Sequence, residues 1–223
     1  MTFSPETVMG MWAAGVAGTG ALVVYWKVVG GGYTVLVAAT VVLLGGGAWF
    51  FDPTPLTAVA ALLGVGAALM SRSPGQAGAA LAVSSLLFLA HASADSRLLP
   101  ALTGSLALGG ITAEMVLGHW YLIDPRMPRR PLRALGVIGG TGVALDAALH
   151  LIPGISASST AIIVSVGLFL TTLVLMMAVW FCLGYPSYPG VMAATGLSYL
   201  AVLTGLGSVI LIRALASGAA PFG

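Results

Sequence analysis

His91 and Asp95 stand four residues apart in HASAD, and Asp146 and His150 stand four apart in DAALH. On a helix that spacing puts both side chains of a pair on one face. Two neutral imidazoles at matched depth on neighbouring helices would ligate a haem b iron axially, or hold a metal together with two carboxylates. In the metal case the ligand set is His91, His150, Asp95 and Asp146. In the haem case Asp95 and Asp146 instead orient the ring nitrogens. The plainer account makes each pair a local hydrogen bond where a helix meets water.

A second constellation lies in TAEMVLGHWYLIDPRMPRRP, from Thr112 to Pro131. Glu114 sits about two turns inside an apolar run, where a carboxyl must be protonated, paired or beside water. His119 is about one turn from the following loop. Five residues apart, the two do not share a helix face. Their candidate chemistry is catalytic: a proton relay, or a quinone pocket in which Glu114 or His119 exchanges protons with a quinone carbonyl. Trp120 and Tyr121 read as an interfacial anchor, and the arginines that follow as topology signals or contacts to anionic lipid.

Several other patterns carry less. Gly30-Gly31-Gly32 and Gly45-Gly46-Gly47 lack the Gly-Lys-Ser/Thr ending of a phosphate loop. GVAGTG near residue 15 lacks the preceding strand that a dinucleotide site requires. Ser84 and Ser85 precede His91 by seven and six residues, which leaves an intramembrane hydrolase open, but its third histidine, His119, falls on the opposite surface. Met176, Met177 and Met192 read as packing residues rather than copper ligands. LGYPSYPG, with Tyr185 and Tyr188 beside prolines, reads as a rigid turn.

The elements that must position these residues are set by composition. Of 223 residues, 59% are hydrophobic and only 6% charged, against about a quarter charged in a soluble domain. The chain is therefore expected to be a single, all-α integral membrane domain over 1–223. Strands are not expected, because a lipid-spanning sheet must close into a barrel with alternating polar and apolar residues. Eight spans are predicted, at 7–29, 33–51, 55–71, 77–95, 98–123, 131–152, 157–184 and 189–214, separated by Pro and Gly breakers. The 31 glycines allow close helix approach. A single cysteine, Cys182, excludes an internal disulfide and any multi-cysteine site. The net charge of +2 gives no nucleic-acid footprint.

Arg126, Arg129, Arg130 and Arg133 crowd one short loop, which by the positive-inside rule is cytoplasmic. Alternation then puts Lys27 and Arg72 inside and both termini outside, in an inner or plasma membrane, with Arg97 and Arg213 outside against the rule. A faint repeat pairs Arg72–His91 with Arg130–His150, suggesting tandem helix pairs. The leading expectation is an integral membrane subunit of a respiratory or electron-transfer complex, holding one haem b or a quinone site and depending on partner subunits. The alternative is a small-solute, ion or proton transporter or channel, with Glu114 and Asp146 on a pathway and helices broken at Gly109-Gly110 and Gly139-Gly140. A third reading is a scaffold without cofactor.

Overall fold

The computed structural model describes residues 4–124, 126–152 and 159–218. Among them are eight helices and no strand: α1 Pro5–Tyr25, α2 Gly31–Phe51, α3 Pro55–Leu69, α4 Pro74–Ser96, α5 Leu98–Ile123, α6 Arg130–Leu151, α7 Ser159–Cys182 and α8 Tyr188–Ala216. Their ends fall where the breakers stand. Proline occupies one of the first two positions of α1, α3, α4, α6 and α8, where its missing N–H is not needed and its fixed φ suits the helix. Thr54 Oγ1 caps α3 by accepting from the Thr57 N–H at 3.3 Å, and Ser187 Oγ caps α8 by accepting from the Gly190 N–H at 3.3 Å.

Seven of these helices are long and apolar enough to cross a membrane. The exception is α3, whose 15 residues rise about 22 Å at 1.5 Å per residue, less than the ~30 Å hydrocarbon core. The protein is thus an all-α, multi-pass membrane bundle whose apolar outer surfaces meet lipid.

The helices form two four-membered rings. In the first, α1 packs on α2, α2 on α3, α3 on α4 and α4 back on α1; in the second, α5, α6, α7 and α8 follow the same cyclic order. The rings join chiefly where α1 meets α5, with α4 also against α5. These two helices are accordingly the most enclosed of the bundle. Four helices per ring return the chain to the face it started from, so the halves run parallel, as in parallel internal repeats of membrane proteins.

Glycine spacing repeats with the rings. Gly10 and Gly15 on α1 are matched by Gly104 and Gly109 on α5, each 94 positions later. At the crossing of α1 and α5, a Cβ on Gly15 would collide with the Ser105 carbonyl, and one on Gly109 with the Gly15 backbone. Only hydrogen at both positions lets the backbones touch. Gly110 and Gly139 make a similar contact between α5 and α6. Gly109-Gly110 and Gly139-Gly140 therefore do not break α5 or α6, as a transport pathway was expected to require; Gly109, Gly110 and Gly139 instead let continuous helices touch. The repeat is also not the one expected from Arg72–His91 and Arg130–His150. By ring order α4 corresponds to α8, and α6 to α2.

Candidate functional site

One end of the bundle gathers the start of α1 and α5 with the ends of α2, α4, α6 and α8. In the second half this end is built around Asp146, which is fully buried. Arg213, in the last turns of α8, donates from Nη1 to Asp146 Oδ2 at 2.9 Å and from Nη2 to Oδ1 at 2.8 Å. Thr103 of α5 donates to Oδ1 at 2.6 Å. Arg213 Nη2 also donates to the Pro100 carbonyl at 2.7 Å. A two-pronged guanidinium–carboxylate pair with added donors is the geometry that offsets the desolvation of two buried charges. Gly104 makes room for it: a Cβ there would stand 2.6 Å from Arg213 Nη2.

His150 is held beside this pair rather than in it. Its Nδ1 lies 2.8 Å from the Asp146 backbone carbonyl, to which it donates, and 3.7 Å from the carboxylate. The contact between His150 and Asp146 thus runs through the Asp146 main chain, while the Asp146 side chain answers Arg213. Arg213 is not a misplaced loop charge but a buried partner.

The first half has a looser counterpart. His91 of α4 is buried, with its Nδ1 4.0 Å from Asp52 Oδ2 at the end of α2. Its Nε2 is buried without a partner. Asp95, the acid expected to orient His91, instead accepts from Thr7 of α1 at 3.3 Å. Gly10 faces His91 as Gly104 faces Arg213, but less tightly: a Cβ there would lie 3.3 Å from the ring, against 2.6 Å from Arg213 at Gly104.

His91, His150, Asp95 and Asp146 are consequently not brought together. The two histidines sit in different halves; α4 packs on α1, α3 and α5, and α6 packs on α5 and α7. Among the described residues, no three of His, Cys, Asp or Glu converge as a metal would need.

Glu114 lies deep in the most enclosed helix and is fully buried. The Ser198 hydroxyl of α8 shares its proton between Glu114 Oε2 and the Ala194 carbonyl. Oε1 is buried without a partner. On the side of α6 Gly136 lies beside this side chain: a Cβ there would stand 4.0 Å from Glu114 Cγ and 3.8 Å from Met176 Cε of α7. His119 is exposed, five residues nearer the arginine-rich end, so Glu114 and His119 are not one site.

That opposite end is tied by its loops. Arg129 donates to the carbonyls of Tyr185 and Ser187 (3.1 Å to the latter) and lies 5.9 Å from the Tyr121 ring. Tyr188 donates to the Leu122 carbonyl at 3.3 Å. The Tyr185–Tyr188 turn is thus a docking edge for the arginine loop. The residues that sequence reasoning missed are Arg213, Thr103, Asp52 and Ser198. A lone arginine in an otherwise apolar last turn was the one signal available for the first of these.

No protein-family model, curated protein or solved structure matches this chain.

Proposed function

We propose that this chain is an integral membrane subunit of an electron-transfer assembly, with Glu114 as the group that exchanges a proton with a quinone-class carrier. The observation that carries the reading is the Glu114 carboxyl: wholly buried, with one donor, Ser198, and a second oxygen left open. Ionisable groups at membrane depth are expensive and belong to proton, ion or ligand chemistry far more often than to packing. A quinone is the lipid-phase partner for which such a carboxyl is suited, since its carbonyls take up protons with electrons. The quinone form of the reading stands ahead of the haem b form, because His91 and His150 serve different halves. The near-absence of chain outside the helices means that redox centres would come from partner subunits. The arginine-rich loop would face the cytoplasm.

The test is a binding titration of a short-tailed naphthoquinone to the purified protein in mild detergent. The carboxyl that donates to a quinone carbonyl is the neutral acid, so Glu114→Gln should weaken binding about fivefold, the worth of one hydrogen bond between uncharged groups, with an unchanged unfolding midpoint. Equal binding by wild type and Glu114→Gln would remove the carboxyl from the reading. A wild type that binds no quinone would reject the quinone form itself.

A second reading, proton-coupled transport, is supported by the two four-helix rings of the same cyclic order running parallel. It predicts proton flux in vesicles containing the protein alone, abolished by Glu114→Gln. Flux without any quinone binding would put this reading first.

A further inference from the structure

Between α6 and α7, outside the wall formed by Gly136 and Met176, runs an open apolar groove of about 330 Å³ lined by Val137, Gly140, Leu173, Met177 and Trp180. Its volume is at the lower end of small-molecule sites. Val137, Met177 and Trp180 are exposed on the outside of the bundle, so the groove opens sideways, toward lipid.

Its mouth is cationic. The Arg133 guanidinium stacks over the Trp180 ring, 4.4 Å from its centre. Stacking occupies the face of the guanidinium and leaves its in-plane N–H donors free. Arg133 has no ion pair among the described residues. Arg130 lies one turn earlier on the same helix and is exposed. Three residues apart, the two side chains are neighbours on the helix surface. Both stand in the first turn of α6, where the helix dipole adds positive potential.

We propose that this groove is a binding site for an anionic phospholipid. The phosphate sits against Arg133 and Arg130, the interfacial region meets Trp180, and one acyl chain lies along Gly136, Gly140 and Met177. The order along the groove, from cation through aromatic ring to a wall that is apolar but for Thr141, matches such an amphiphile. Basic pockets between helices at a membrane face hold anionic head groups by the same means. A neutral quinone would fill the apolar part and offer its carbonyl oxygens to the guanidiniums, but no negative charge to answer two cations. This inference goes beyond the reading of Glu114 and does not depend on it.

The experiment compares wild type, Arg133→Gln and Gly140→Leu, purified in mild detergent, by native mass spectrometry and thermal unfolding. Phosphatidylglycerol, phosphatidylcholine and inorganic phosphate are added separately. Phosphatidylglycerol should be retained and should raise the wild-type midpoint, while phosphatidylcholine and phosphate should not. Arg133→Gln should weaken retention about fivefold, the worth of one cation near an anionic lipid surface. Gly140→Leu, which fills the groove and leaves the arginines in place, should also weaken it while keeping the unfolding midpoint measured in phosphatidylcholine. Equal effects of the two lipids would overturn the proposal, since the head group would not be recognised. An equal effect of inorganic phosphate would reduce the site to an anion patch. Wild-type retention by both variants would place bound lipid elsewhere. A naphthoquinone that displaces phosphatidylglycerol, with an affinity untouched by Arg133→Gln, would make the quinone the groove's occupant instead.

Discussion

The same end of the two halves is built on one plan with different chemistry. In the second half, Arg213 of α8 grips Asp146 of α6 with two short bonds, and Thr103 of α5 adds a third. In the first half, the corresponding helices bring His91 of α4 only to 4.0 Å from Asp52 of α2, and Asp52 is 44% exposed. Each pair is admitted by a glycine five residues before the glycine at the crossing of the halves. The difference teaches what burial demands. Where the acid is sealed from water, it is met by a permanently charged, two-pronged donor; where it keeps contact with water, a histidine out of bonding range is tolerated.

The largest effect should come from breaking the sealed pair. Asp146→Asn or Arg213→Gln leaves a buried charge without its partner, which costs about 3–5 kcal/mol. Thermal unfolding in detergent should show this as a large fall in midpoint. The double variant Asp146→Leu with Arg213→Met should lie closer to wild type than either single change, because two apolar groups leave no orphaned charge. A single variant within about 1 kcal/mol of wild type, the range of an exposed pair, would mean that the pair is not sealed.

The glycines give an intermediate effect and sharpen the contrast. Gly104→Ala would push against Arg213 and the Met11 sulfur at 2.6 and 3.0 Å, an overpacking that costs about 1–3 kcal/mol. Gly10→Ala meets only the edge of His91 at 3.3 Å and should cost less. Gly15→Ala collides with backbone of the other half, which cannot yield as a side chain does, so its loss should reach or exceed that of Gly104→Ala. The order of the three midpoints is the measurement. Equal losses for Gly10→Ala and Gly104→Ala would erase the distinction between the halves.

Much of the fold was legible because it follows from local rules. Apolar length gave the spans, and proline and glycine gave their ends; α5 begins and ends on the residues expected. The length of α3 was overstated by two residues, because Met70 and Ser71 are apolar or neutral enough to extend the run but belong to the turn. The repeat was not legible in the same way. Its halves share glycine spacing and ring order but few residues, and the arginine-to-histidine spacing matched two helices that do not correspond. The site was legible in part. Glu114, Asp146, His91 and His150 stood out as polar residues in apolar surroundings, and all four are buried. Their partners were not, because partnership across helices depends on rotation and neighbour order. Asp146 was read with His150 by its spacing of four, yet its side chain turns to Arg213, 67 positions away. The identity of a membrane arginine as a loop signal or a buried partner is a tertiary fact.

The smallest effect should be at His91. At 4.0 Å from a half-exposed carboxylate, the imidazole makes a contact beyond hydrogen-bond range, with a partner that water screens. His91→Gln and Asp52→Asn should each change stability by less than about 1 kcal/mol, and the coupling read from the double variant should be a small fraction of that. Repeating the unfolding at low and high salt adds a second discriminator, since a partly exposed pair is screened and a sealed one much less so. The His91–Asp52 contribution should shrink at high salt, while the Asp146→Asn loss should persist. A His91→Gln loss of several kcal/mol that salt leaves unchanged would show that the first half is sealed as tightly as the second. The two ends would then differ in residue type alone.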